Sequence, residues 1–141
     1  MLSLNKSIFL TILFNFLIPI GAGHGIGVLG LIQIFGLAEA FQNDASFSLI
    51  GSYEHRLSSA ALLATAGQII LVIAIFLAQT GRKSTLIYSG LVITLGAYFV
   101  LTNNFFTSSV DRFSFWGGLP FCICAVLLFV NTVMSQKRTR T

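Results

Sequence analysis

Charged residues cut this chain into four uncharged stretches, residues 7–38, 57–81, 84–110 and 113–136. A helix that crosses a bilayer needs about 20 apolar residues, because the hydrocarbon core is roughly 30 Å thick and each residue adds about 1.5 Å. All four stretches reach that length. Trimmed to their apolar parts, they place spans at 8–38, 57–79, 85–102 and 115–134. The ten-residue alternation of a membrane barrel does not occur, and an open sheet would leave backbone groups unpaired in lipid. The expected fold is therefore all-α: one transmembrane domain over residues 1–141, built as a four-helix bundle with a long, kinked, Gly-rich first helix. Composition points the same way. Only 9% of the residues are charged and 55% are hydrophobic, against about 25% charged in a soluble domain.

The charges also orient the spans. Lys6, Arg82, Lys83, Lys137, Arg138 and Arg140 fall on one side, six of the eight basic residues. Arg56 and Arg112 fall opposite, with Glu39, Asp44, Glu54 and Asp111. By the positive-inside rule both termini are cytoplasmic in a multi-pass protein of the plasma (inner) membrane. The outer loops, 40–56 and 103–114, hold Phe41, Phe47, Tyr53, Phe105, Phe106 and Phe113 among polar neighbours. Such aromatic residues favour the headgroup zone. The net charge of +4 comes from scattered residues that form no phosphate-tracking stripe, so nucleic acid is not an expected partner.

The first stretch is the unusual one. Its 32 uncharged residues, Ser7 to Ala38, would make a straight helix of about 48 Å. Pro19 lacks an N–H, so the carbonyl of Asn15 loses its helical partner and a bend is expected between Pro19 and Gly27. Residues 1–23 have the layout of a cleavable leader. However, the apolar run continues through Val28, Leu29, Leu31, Ile32, Ile34 and Phe35, and cleavage would leave a stump too short to span. Gly25-Ile26-Gly27-Val28-Leu29-Gly30 spells a dinucleotide fingerprint, but that motif works only between a strand and a helix of a parallel α/β unit. Helix packing is the more physical reading. Gly21 with Gly25, and Gly23 with Gly27, have small-xxx-small spacing, and Ala60, Ala64 and Gly67 offer a matching face on the second span.

His24 is the titratable side chain expected inside the hydrocarbon, where ionisable groups are costly and mark pathways or sites. A neutral imidazole there needs a partner, and Gln68, then Thr94, are the candidates, making a ligand or proton site of His24, Gln68 and Thr94. The bland alternative is a buried histidine with satisfied hydrogen bonds. Cys122 and Cys124 stand two apart on a helix and point to different faces, so they cannot jointly grip a metal. His55 reads as a solvated loop residue. No catalytic constellation, metal site or cofactor is expected. The leading expectation is a non-enzymatic accessory, assembly or interaction protein, in the lipid bilayer with a membrane-protein partner or as a homo-oligomer. The alternative is a small oligomeric transporter or channel with His24 and Gln68 lining a polar pathway. A membrane enzyme lacks even a candidate nucleophile and base.

Overall fold

The first uncharged stretch does not form one long helix. In the computed structural model, which describes residues 3–22, 25–36, 49, 53–78 and 81–138, helix α1 spans Leu4–Phe16. It starts at Ser3, whose hydroxyl accepts from the Lys6 N–H, and leaves helical geometry at Leu17. Two antiparallel strands follow, β1 (Pro19–Ala22) and β2 (Gly25–Val28), paired Pro19↔Val28 through Ala22↔Gly25. A short helix α2 (Leu29–Leu31) then runs into a π turn, Ile32–Gly36. The expected kinked helix over 8–38 is thus replaced by a helix, a hairpin and a tight helical return. The physical reason lies at Ile18. Proline disfavours helical geometry in the residue before it, so the chain turns extended ahead of Pro19. The glycines beyond have the weakest helical preference apart from proline, and nothing restores the helix. The Asn15 carbonyl does not stay stranded, because the Ile18 N–H reaches it at 3.4 Å.

Three long apolar helices complete the chain: α3 (Tyr53–Phe76), α4 (Gly81–Leu101) and α5 (Ser109–Arg138). Each is long and apolar enough to cross a membrane. Their outward faces carry large apolar side chains, among them Phe76, Val92, Phe99, Ile123 and Val126. A water-facing surface would not tolerate so much apolar area. The helices begin earlier than the trimmed spans. Residues 53–56 and 109–114, expected in outer loops, are the first turns of α3 and α5. The rest of loop 40–56, apart from Leu49, lies outside the described residues.

Packing follows small residues. Ala60, Ala61 and Ala64 are fully buried on α3, and the closest crossing is between α3 and α4. A Cβ at Gly67 would stand 2.6 Å from Thr94 Cγ2 and 3.0 Å from the Gly90 carbonyl oxygen. Only glycine permits that backbone approach. On the other side of the bundle, α1 and β1 run antiparallel along α5. Ser7 meets Asn131, Thr11 meets the Cys124 carbonyl, Pro19 abuts Gly117 and Gly21 abuts Val110. From Asn131 to Val110 a helix climbs roughly 31 Å. The first segment covers the same height as roughly 14 Å of helix from Ser7 to Phe16 plus roughly 17 Å of extended chain to Gly21. β2 then descends, bringing Gly30 against Phe16 and Gln33 to Gln68. Irregular backbone at such depth requires protein cover, and α5 and α3 supply it on one side.

Candidate functional site

Polar side chains collect at three levels of the bundle. The inner level, named for the orientation expected from the charges, holds Lys83, whose Nζ donates to Asn5 Oδ1 at 2.8 Å and to the Leu77 carbonyl at 3.2 Å. The second bond places a cation at the C-terminus of α3, where helix carbonyls lack partners. Nearby, Asn131 Nδ2 donates to Ser7 Oγ at 2.8 Å. The N-terminal helix, Lys83 and the last turns of α5 therefore share one end.

The opposite, outer level holds a buried ion pair. Arg56 and Asp111, both expected in loops, form a buried two-pronged ion pair with N–O distances of 2.9 and 3.2 Å and side-chain exposures of 1% and 0%. Arg56 also donates to the Val100 carbonyl, and Asp111 accepts from the Asn104 N–H, each at 2.9 Å. Asp111 sits there because Ser108 caps α5: the Ser108 hydroxyl accepts the Asp111 N–H at 3.2 Å, a Ser-x-x-acid start that suits a carboxylate near a helix N-terminus. Tyr53, just ahead of the apolar span of α3, accepts the Gly21 N–H at 3.2 Å and lies 3.4 Å from Ser114 Oγ. Burial pushes its hydroxyl above the ordinary value against the opposing pull of those two bonds, so it stays protonated. The bond from Gly21 also fixes the hairpin ladder. Gly21 points its N–H away from β2, so by alternation Pro19 occupies the same kind of site and its missing N–H costs no cross-strand bond. The Leu29 N–H to Ile18 carbonyl bond of 2.8 Å fits this phase.

The middle level is neutral. Gln68 Nε2 on α3 donates to Asn15 Oδ1 at 2.7 Å, in the last turn of α1, and lies 3.5 Å from Gln33 Oε1 in the π turn. Asn15 is fully buried. The NH2 groups of Asn15 and Gln33 are buried without a hydrogen-bond partner among the described residues. Between α4 and α5, a separate groove of 430 Å³ is lined mostly by apolar side chains, including Leu91, Leu95, Ala125 and Phe129, with Tyr88 and Cys122.

Against this geometry the sequence candidates separate. Gln68 lies in the middle level, but its partners are Asn15 and Gln33. Thr94 is buried against Gly67 and directs its hydroxyl to the Gly90 and Leu91 carbonyls of its own helix. His24 and Gly23 lie outside the described residues. Gly21, Gly25 and Gly27 are on strands, so their small-xxx-small helical spacing does not apply. Gly21 packs on Val110 and Gly25 is exposed. His55 is exposed on α3. Asn15, Gln33, Arg56, Asp111 and Tyr53 escaped the sequence reading, although Asn15 and Gln33 are the only amides in the first uncharged stretch. Among the described residues, no three His, Cys, Asp or Glu side chains stand close enough to hold a metal ion. No protein-family model, curated protein or solved structure matches the chain.

Proposed function

We propose that this chain is a small, four-crossing membrane protein that works by binding another membrane-embedded chain, as an accessory or assembly protein or as a homo-oligomer, rather than by catalysis. One observation carries the reading: the outer edge of β2. Ladder alternation turns the backbone N–H and C=O of Ile26 and the N–H of Val28 away from β1, while the Val28 carbonyl starts α2 as its N-cap, and Ile26 is 77% exposed. Leu31, Ile34 and Phe35 continue an exposed apolar face beside it. Open strand edges are not stable against lipid, and a pairing chain is the usual remedy. A photo-crosslinkable residue at position 26, with a control at the exposed Phe99 of α4, tests this in native membranes. A discrete adduct from position 26 alone supports the reading, and the adduct's mass separates a second copy from another chain. Equal background at both positions rejects it.

In this reading α1 and β1 together make the first crossing, and both termini face the cytoplasm. The shared end of Asn5, Lys83 and Asn131 supports that arrangement, as does the six-to-two basic asymmetry. Reporter fusions after Lys83 and Gln136 should read cytoplasmic, and one after Thr107 external. An external reading at Lys83 overturns it.

A second reading, a small oligomeric transporter with His24 and Gln68 on a polar pathway, is favoured by the interruption of the first segment beside Gln68. Transporters build midplane sites from such broken segments. Flux of small neutral solutes into liposomes, comparing wild type with Gln68→Leu and His24→Ala, tests it.

A further inference from the structure

Three amide side chains from three separate elements meet inside the bundle: Asn15 at the end of α1, Gln33 in the π turn and Gln68 in the middle of α3. Gln68 Nε2 faces the oxygens of both partners, so the NH2 groups of Asn15 and Gln33 point elsewhere, and both are buried and unpartnered. Rotating the amides does not remove the deficit. If Gln68 turned its oxygen toward two NH2 groups, the oxygens of Asn15 and Gln33 would be left over instead. Three amides joined only through Gln68 leave at least two polar edges to be satisfied from outside the trio. Unused polar edges at full burial are costly, and water or a ligand is the ordinary way to satisfy them.

The chemistry of the cluster limits what it holds. All three groups are neutral. On α3 the next charged side chain is Arg56, twelve residues and roughly 18 Å toward the outer end, where Asp111 already holds it. A charged solute would enter without a counter-charge at strong cost. A neutral one with both an acceptor and a donor fits either rotation of the amides. The backbone points the same way: Gln33 rides a π turn, a conformation frequent at functional sites, and Asn15 precedes the break at Leu17.

We propose that Asn15, Gln33 and Gln68 form an intramembrane binding site for a small neutral solute that both donates and accepts hydrogen bonds, such as a primary amide, an alcohol or water. The proposal deepens the transporter reading but concerns binding alone. Binding without flux keeps the site and rejects transport.

The test uses full-length protein in phosphatidylcholine nanodiscs, with 15N in the side-chain amides of Asn and Gln. Asn15→Leu and Gln33→Leu assign the two signals, and Asn104 serves as the exposed control. Acetamide is the probe. Saturable shifts of the Asn15 and Gln33 NH2 signals, absent at Asn104, identify an organic solute site, and Asn15→Leu should weaken the remaining Gln33 response about tenfold. Rapid exchange of both NH2 groups with D2O and no acetamide response identify water as the occupant. NH2 signals that neither respond to acetamide nor exchange overturn the proposal, and that result is read on the wild-type protein.

Discussion

The outer and middle levels of the bundle handle buried polarity in opposite ways. At the outer level, Arg56 and Asp111 are charged, buried and bonded on every side to Val100, Asn104 and each other. In the middle, three neutral amides share two contacts and leave two NH2 groups over. The first arrangement is satisfied by protein groups, whereas the second has two buried donors to spare. The buried ion pair fastens α3 to α4 and α5, and the incomplete amide cluster is where the proposed binding would occur.

The largest expected effect tests the fastening. Asp111→Asn leaves the Arg56 guanidinium buried without a counter-charge, which costs roughly 3–5 kcal/mol. Arg56→Met/Asp111→Leu should recover only part of that. The pair's own energy is then no longer missing, but the Asn104 N–H and Val100 carbonyl still lose their partners. Denaturation of the detergent-solubilised protein, arranged as a double-mutant cycle, checks both statements. A loss below about 1 kcal/mol for Asp111→Asn would place the pair in contact with water and erase the contrast.

This pair also marks where sequence reading stopped. Three long apolar helices were legible because a bilayer demands length and hydropathy, and α3, α4 and α5 meet that demand residue by residue. Charges, however, read as boundaries in the sequence, which puts Arg56, Asp111 and Lys83 in loops, whereas all three lie in helices. A charge that finds a partner in three dimensions can sit inside a helix, and that partner lies 55 residues away for Arg56. The first segment failed for a different reason. Pro19 correctly announced a disturbance, but whether a helix resumes after proline depends on what backs the chain. Here Gly117 and Val110 of α5 and the Tyr53 hydroxyl receive an extended strand. None of those contacts is local in sequence. In the middle level, Gln68 is expected from the sequence as a partner of His24, which lies outside the described residues. Its partners Asn15 and Gln33 are not legible there, because neutral amides carry no titratable signal and lie 53 and 35 residues away in sequence.

The next effect concerns packing rather than polarity. Gly67→Leu would drive a side chain into Thr94 and the Gly90 carbonyl, and overpacking of that kind costs roughly 1–3 kcal/mol or more. Ile73→Leu, on the exposed face of the same helix, should stay within about 0.5 kcal/mol. Equal melting temperatures for the two variants would mean that α3 and α4 do not cross there.

Tyr53→Phe probes the link between the outer level and the hairpin. It removes the acceptor for the Gly21 N–H and the contact with Ser114 but keeps the ring. A net loss of roughly 0.5–1.5 kcal/mol is expected. Faster amide exchange confined to β1 would locate the loss at the strand, while a loss spread evenly over α3 to α5 would detach the hairpin from the outer fastening.

The smallest expected effect belongs to the middle level and gives the sharpest contrast with Asp111→Asn. Asn15→Leu removes a fully buried side chain that makes a 2.7 Å hydrogen bond, which would ordinarily suggest clear destabilisation. It also removes a buried NH2 group that has no partner. The lost bond is worth about 0.5–1.5 kcal/mol, and the relieved donor returns about 1–3 kcal/mol. Gln68 keeps its 3.5 Å contact with Gln33, so its own NH2 is not abandoned. The two changes nearly offset each other, and the variant should fall within about 1 kcal/mol of wild type on either side. A loss comparable to that of Asp111→Asn would mean that the Asn15 NH2 is bonded to the protein itself in the membrane, and the middle level would then be a second fastening rather than a binding site.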